Sequence, residues 1–324
     1  MTHGIRHKLA SVLMLLLAAC SGGGDQPGNG ARPIVLGLSQ FDSVLNWNAA
    51  NTESIRKAAL AAHIDVRLED AQRSQEKQVA ALRSFIEQHV DVIAFSPVVE
   101  TGWEIVLREI RAAGIPVILT DRTIEISDES LYVSLVGSDF VEQGRRAARW
   151  LLEHTRDLPG EIDIVELQGT VGSAPANDRK QGFAEIIAAD PRYRIIRSQS
   201  GNFRRDDGKQ LMARFLRSEG RRVRVLFAHS DTMALGAIEA IEAAGFRPGT
   251  DILVISIEGS REGLKAIVAG KLNVSVESTP LLGPQLAATV KDVAAGRPVP
   301  RHIVTPEKVF TAETAALELP GRQY

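Results

Sequence analysis

Residues 90–122 read VDVIAFSPVVETGWEIVLREIRAAGIPVILTDR. An apolar, β-branched run at 90–95 is followed by an amphipathic segment of helical period at 103–113 and a second apolar run at 117–119. Two short buried strands on either side of a helix make a β-α-β unit, whose strands lie parallel because the helix carries the chain back along the sheet. Polar residues follow each strand: Ser96 after the first, Asp121 and Arg122 after the second. In a parallel α/β sheet ligands bind beyond the carboxyl ends of the strands, so this stretch predicts both a fold class and a place for the chemistry.

The same alternation continues outward. Further strands are predicted at 34–38, 65–68 and 132–136, then at 163–167, 195–198, 223–228, 252–257 and 274–277. Helices are predicted at 54–63, 76–89, 140–154, 179–189, 208–218, 232–244 and 263–269. The predicted architecture is α/β and doubly wound, with helices on both faces of parallel sheets. Ten strands are many for one sheet, and the pattern halts at Gly137-Ser138-Asp139, Ser278-Thr279-Pro280 and Thr305-Pro306. Three halts predict two lobes joined by a hinge: residues 33–137 with 279–305 in the first, 138–278 with 306–324 in the second.

A length of 324 residues is ample for two cores, and 44% hydrophobic with 24% charged residues is an ordinary globular composition. The first 19 residues differ: Arg6 and Lys8 precede an apolar run that ends in Leu17-Ala18-Ala19-Cys20. This is a secretory signal peptide, too short to span a bilayer as a mature helix. Its last four residues resemble the bacterial lipobox, in which the cysteine is acylated and becomes the first residue of the mature chain. Cys20 is the sole cysteine, so no internal disulfide forms and stability rests on the core. Residues 20–32 are Gly-rich and polar, a flexible tether between a lipid anchor and the body. Loss of Arg6 and Lys8 leaves the body more acidic than the formal −2 of the whole chain, a poor match for nucleic acid.

The strand-end rule collects Asn46, Trp47 and Asn48, Ser96, Asp121 and Arg122, Gln168, His229, Ser230 and Asp231, and Glu258, and Glu277 is a further ligand candidate. Amides, hydroxyls, charges and an indole suit a polyol, whose hydroxyls take bidentate partners and whose C–H face takes a flat ring. Glu277 reads equally as a hinge residue. A nucleophile elbow, a P-loop and a zinc-protease helix are missing from the sequence, so no catalytic residue, metal site or cofactor is assigned. Gly169-Thr170-Val171-Gly172 follows a strand, and reads either as a weak phosphate cradle or as a turn into the next helix.

Several stretches resemble the periplasmic sugar-binding family that includes ribose-binding protein, above all its galactofuranose-binding subgroup. They include Ser96-Pro97-Val98-Val99-Glu100-Thr101-Gly102-Trp103-Glu104, Leu119-Thr120-Asp121-Arg122, Val165-Glu166-Leu167-Gln168-Gly169-Thr170-Val171-Gly172, Asp178-Arg179-Lys180-Gln181-Gly182-Phe183 and Met233-Ala234-Leu235-Gly236-Ala237. The resemblance implies the type I periplasmic binding protein fold, in a monomeric lipoprotein of the periplasm or cell surface. Its implied role is to bind a monosaccharide between the lobes and deliver it to the permease of an ABC-type importer. It further implies that Asp121 and Arg122 grip sugar hydroxyls, that Arg179 adds a second guanidinium from the other lobe, and that Trp47 and Phe203 stack on the sugar. Asn48 stands where the subgroup has an arginine, Ser230 where it has an asparagine, and Glu258 where it has an aspartate. A repressor on the same two-lobed body would need a basic helix-turn-helix where this chain has an apolar leader. The alternative is a sensor that presents bound sugar to a receptor kinase or chemoreceptor. If Cys20 is acylated, Cys20→Ala should move the protein from the membrane fraction to the soluble fraction; retention through a high-salt wash would contradict the anchor.

Overall fold

The computed structural model describes residues 1, 32–44 and 46–324; the signal-peptide, lipobox and tether readings, Cys20 among them, lie outside the described residues, as does the Asn46 side chain. Within Pro33–Tyr324, β1 (Ile34–Gln40), α1 (Asn46–Ala61), β2 (Ile64–Asp70), α2 (Gln75–Glu87), β3 (Val92–Phe95), α3 (Glu104–Ala112), β4 (Val117–Thr120) and β5 (Ser134–Gly137) alternate. The pattern resumes with α4 (Phe140–Thr155), β6 (Ile162–Gln168), α5 (Ala174–Ile187), β7 (Tyr193–Ser200), α6 (Arg205–Glu219), β8 (Val223–Ala228) and α7 (Asp231–Ala243). It continues through β9 (Leu253–Glu258), α8 (Arg261–Val268), β10 (Val274–Glu277), α9 (Gly283–Ala294), β11 (His302–Val304), β12 (Val309–Phe310) and α10 (Ala312–Glu318).

These strands form two six-stranded sheets, ordered β11-β5-β4-β3-β1-β2 and β12-β10-β9-β8-β6-β7. Every pairing is parallel except that of β12 with β10. The strand order reverses beside β1 in one sheet and β6 in the other, and such switch points open a crevice at the carboxyl ends. The fold is the two-lobed α/β architecture expected. Each predicted strand overlaps an observed one, while β11 and β12, too short for a periodic signal, were not expected. Nor were α9 and α10; α9 opens with Gly283 and Pro284, and proline suits a first helical turn. Helix α1 starts at Asn46, well before the predicted 54, because its first turns are polar and lack the apolar period.

The inner strands are buried on both faces. In β3, Val92 and Ala94 join the apolar cluster on one face while Ile93 and Phe95 join that on the other, following the two-residue period of a strand. The second sheet divides its residues in the same way, Val225 and Phe227 against Leu226 and Ala228. Helices α4 and α5 approach so closely that only glycine fits between them. A Cβ on Gly144 would lie 2.2 Å from the Arg179 carbonyl oxygen, and one on Gly182 would lie 1.9 Å from that of Val141. That contact sets the height of Arg179 in the second lobe. Gly182→Ala should therefore cost at least about 1–3 kcal/mol through overpacking, seen by calorimetry as a fall of several degrees in the unfolding midpoint. An unchanged midpoint would mean that the helices are free to separate.

Candidate functional site

One cavity opens between the carboxyl ends of the two sheets, with about 750 Å³ of space not filled by protein, its open mouth included. The first lobe contributes Phe41, Val44, Trp47, Asn48, Asp121 and Arg122. Facing them are Phe140, Pro175, Arg179, Phe203, Thr232 and Glu258, with Ser278 on the chain that crosses between the sheets.

Asp121 and Arg122 directly follow β4. Asp121 takes a left-handed backbone (φ 63°), and its N–H donates to the Val136 carbonyl at 2.8 Å. Gly137 makes room for this turn, since a Cβ there would lie 2.8 Å from the Asp121 carbonyl oxygen. The Arg122 guanidinium lies over the Phe41 ring, 3.8 Å from its centroid. Its Nε sits 3.5 Å from the Asp121 carboxylate and has no hydrogen-bond partner. Burial lowers Arg122 to about 10, against the pull of Asp121, so it keeps its charge at neutral pH. Burial pushes the Asp121 carboxyl up, opposed by Arg122 and Arg179.

Arg179 is buried on α5 and bonded on three sides. Its Nε donates to Gln143 Oε1 at 2.9 Å, Nη1 to the His229 carbonyl at 2.8 Å and Nη2 to Ser278 Oγ at 3.1 Å. A guanidinium has five N–H groups, so two remain for a ligand. Trp47 Nε1 donates to the Ser278 carbonyl at 2.6 Å, which ties the first lobe to the same crossing segment. At the opposite rim the Glu100 N–H donates to the Gly172 carbonyl at 3.0 Å, and Asn177 Nδ2 donates to the Glu100 carboxylate. The lobes therefore meet on both sides of the cavity.

Glu258 ends β9 with φ 125°, a backbone rare for any residue but glycine. Burial, then the nearby Asp231 carboxylate, push its carboxyl up to about 8, against Arg179 and the backbone N–H groups of Asp231 and Thr232. At neutral pH it is mostly a carboxylic acid, able both to donate and to accept. Phe203 also has a left-handed backbone (φ 58°), and a Cβ on Gly169 would lie 1.9 Å from its Cζ. Gly169 thus makes room for an aromatic ring, which accounts for the Gly-Thr-Val-Gly turn after β6 without a phosphate.

Trp47, Asn48, Asp121, Arg122, Arg179, Phe203 and Glu258 are thus brought together as the strand ends and the resemblance suggested. Ser96, Ser230 and Glu277 stand elsewhere. Ser96 is buried behind the wall, its N–H on the Ser39 carbonyl and its carbonyl on Gln78 Nε2 at 2.9 Å. Ser230 caps α7, its hydroxyl accepting from the Met233 N–H at 3.2 Å. The Glu277 carboxylate is taken by Arg322 at 2.6 Å, Tyr324 at 3.0 Å and the Lys308 N–H at 2.9 Å. Asp231 accepts from Ser256, Ser275 and Ser260 and has no face on the cavity. The strand-end rule missed Phe41 and Ser278, although each directly follows a strand, and also Phe140, Pro175 and Thr232, which lie in first helical turns. Val44 carried no signal.

Two guanidiniums, carboxyl groups and four aromatic side chains around a crevice fit a neutral polyol. Among the lining residues no nucleophile is paired with a base: Ser278 Oγ is held by Arg179. No cluster of three potential metal ligands occurs among the described residues.

Residues 37–298 match the periplasmic binding protein domain family. A galactofuranose-binding protein of Escherichia coli K12 is 42% identical over 292 residues, 89% of this chain and 91% of that protein. A Mycobacterium smegmatis protein solved in complex with β-D-fucofuranose superposes with a TM-score of 0.87 at 49% identity, covering 90% of this chain and 95% of that one. The binding component of the arabinose ABC transporter from Shewanella sp. ANA-3, bound to α- and β-L-arabinofuranose, gives 0.85 at 42% identity, over 89% and 95%.

Because the folded-state pKa of Glu258 lies above its unfolded value, the stability that comes with its proton is complete below the ordinary carboxylate range. That stability is lost as pH rises through about 8. Glu258→Gln, which keeps a neutral side chain, should therefore be more stable than wild type at pH 9 and not at pH 5 in urea unfolding without sugar. Parallel curves at both pH values would show that Glu258 is ionised throughout.

Proposed function

The chain belongs to the periplasmic binding protein domain family, and from that premise we propose that it is the extracytoplasmic sugar-binding component of an ABC-type importer. Its relatives are solute-binding proteins, not enzymes. The observation that carries the reading is one cavity in which Trp47, Asp121 and Arg122 of one lobe face Phe203, Arg179 and Glu258 of the other. A five-membered sugar ring offers two faces for the rings of Trp47 and Phe203, and hydroxyls around its edge for the charged groups. The relatives at 42% to 49% identity with bound or named furanoses support this ligand class.

Closure would turn on the three crossings, with 33–137 and 279–305 moving against 138–278 and 306–324. The Glu307 carboxylate accepts from Ser138 Oγ at 2.5 Å and the Thr279 N–H at 3.2 Å, so one side chain on the third crossing holds the other two. A closed body presents both lobes to a permease in fixed register, and Cys20 would hold a monomeric body at the membrane.

A thermal-shift panel of L-arabinose, D-galactose, D-fucose and D-ribose tests the ligand. A sugar that binds only the folded state raises the midpoint, and charge-assisted hydrogen bonds contribute about 1.5–3 kcal/mol each. Asp121→Ala and Arg122→Ala should each weaken binding by roughly tenfold to a hundredfold or more. An equal shift in wild type and Asp121→Ala would put the site elsewhere. Asn48→Arg should raise affinity for D-galactose as its furanose and lower that for the natural sugar; unchanged preferences would remove Asn48 from specificity.

A further inference from the structure

Behind the cavity, the last residues of the chain form a cluster that the sugar-binding reading does not use. Arg322 donates from Nε to the Gly259 carbonyl at 2.5 Å, from Nη1 to the Glu277 carboxylate at 2.6 Å and from Nη2 to the Tyr324 hydroxyl. Nη2 also lies 3.5 Å from the Glu258 carbonyl. The guanidinium lies over two rings, 4.7 Å from the Phe310 centroid and 4.1 Å from that of Tyr324. Its side chain and that of Glu277 are only 9% and 10% exposed. The Arg261 N–H donates to the Tyr324 carbonyl at 2.6 Å, fastening the segment to α8.

What this cluster holds is the turn that delivers Glu258. Both Glu258 (φ 125°) and Gly259 (φ 65°) have positive φ, conformations that persist only where the surroundings impose them. Besides Arg322, the turn is fixed by the Gly259 N–H on Ser275 Oγ at 2.8 Å and the Ser278 N–H on the Glu258 carbonyl at 3.1 Å. A Cβ on Gly259 would lie 2.5 Å from the Phe310 ring and 2.9 Å from Arg322 Nη2, so the turn rests directly on the cluster. Glu277, bonded to the same guanidinium, immediately precedes the lining residue Ser278. We propose that Arg322 is a positioning residue of the sugar site: it clamps the Glu258-Gly259 turn from behind and sets the direction in which Glu258 enters the cavity. The proposal rests on the reading of the cavity as a sugar site.

Removing Arg322 alone would leave the Glu277 carboxylate buried and uncompensated and would unfold the protein for reasons unconnected with the site. The test therefore uses Arg322→Met combined with Glu277→Met, which removes both charges together, and separately Arg322→Lys, which keeps a cation beside Glu277 but not the fork. Each full-length variant is titrated by calorimetry with L-arabinose, D-galactose and D-fucose. The carboxyl carbon of Glu258, assigned with Glu258→Gln, is followed by NMR against pH in sugar-free protein. Asp231 and Arg179 face Glu258 in all of these proteins, so a moved midpoint reports a moved side chain.

The double variant should unfold near the wild-type temperature, bind at least about tenfold more weakly, and titrate Glu258 nearer the ordinary carboxylate range. Arg322→Lys should shift both readouts in the same direction by less, and carries the test alone if the double variant fails to fold. Wild-type affinity with an unmoved Glu258 midpoint in either folded variant overturns the proposal. If wild type itself binds none of the sugars, the sugar reading fails and the Glu258 midpoint still decides the role of Arg322.

Discussion

A guanidinium taken out of water must find acceptors for its N–H groups, and Arg179 is placed where its acceptors hold the site together. Gln143 comes from the neighbouring helix α4, the His229 carbonyl from the end of β8, and Ser278 from the crossing after β10. The glycine contact of α4 with α5 fixes the height of the arginine. The bond to the Ser278 hydroxyl then fixes the crossing, whose carbonyl accepts from Trp47 of the other lobe. One buried charge thus links the packing of the second lobe to the ring that the first lobe presents.

The electrostatics of the cavity follow from the same burial. Asp121 and Glu258 are both pushed above the ordinary carboxylate range, and Arg122 and Arg179 below theirs, because the cleft gives these charges little water. Such groups are under-solvated until a polar ligand supplies hydroxyls. A neutral polyol does so without bringing a charge of its own. Asp121, Phe203 and Glu258 also hold positive φ angles, so backbone strain is concentrated where side chains must be aimed.

The β-α-β unit at 90–122 was legible because β3 and β4 are buried on both faces and read as continuous apolar runs. Strands β11 and β12 were not, since three and two residues at sheet edges carry no period. The first turns of α1 face the cavity with Trp47 and Asn48, so the polarity that hid the helix belongs to the site. Asp121, Arg122 and Glu258 could be found by strand-end position; Arg179 and Phe203 needed the family resemblance. Glu277 also ends a strand, but its partner Arg322 lies 45 residues on, beyond the reach of any local pattern. Ser230 met the same limit, because a cap and a ligand contact call for the same residue types.

The described state has the lobes touching through Trp47 and Ser278 on one side and through Glu100, Gly172 and Asn177 on the other. A binding protein that works by closure exchanges these contacts for an open form when it carries no sugar. Small-angle X-ray scattering of the body, with and without a sugar shown to bind it, measures that exchange directly. The account predicts a smaller radius of gyration with sugar, converging on the scattering expected of the structure described above. Identical curves with and without a saturating sugar would contradict it.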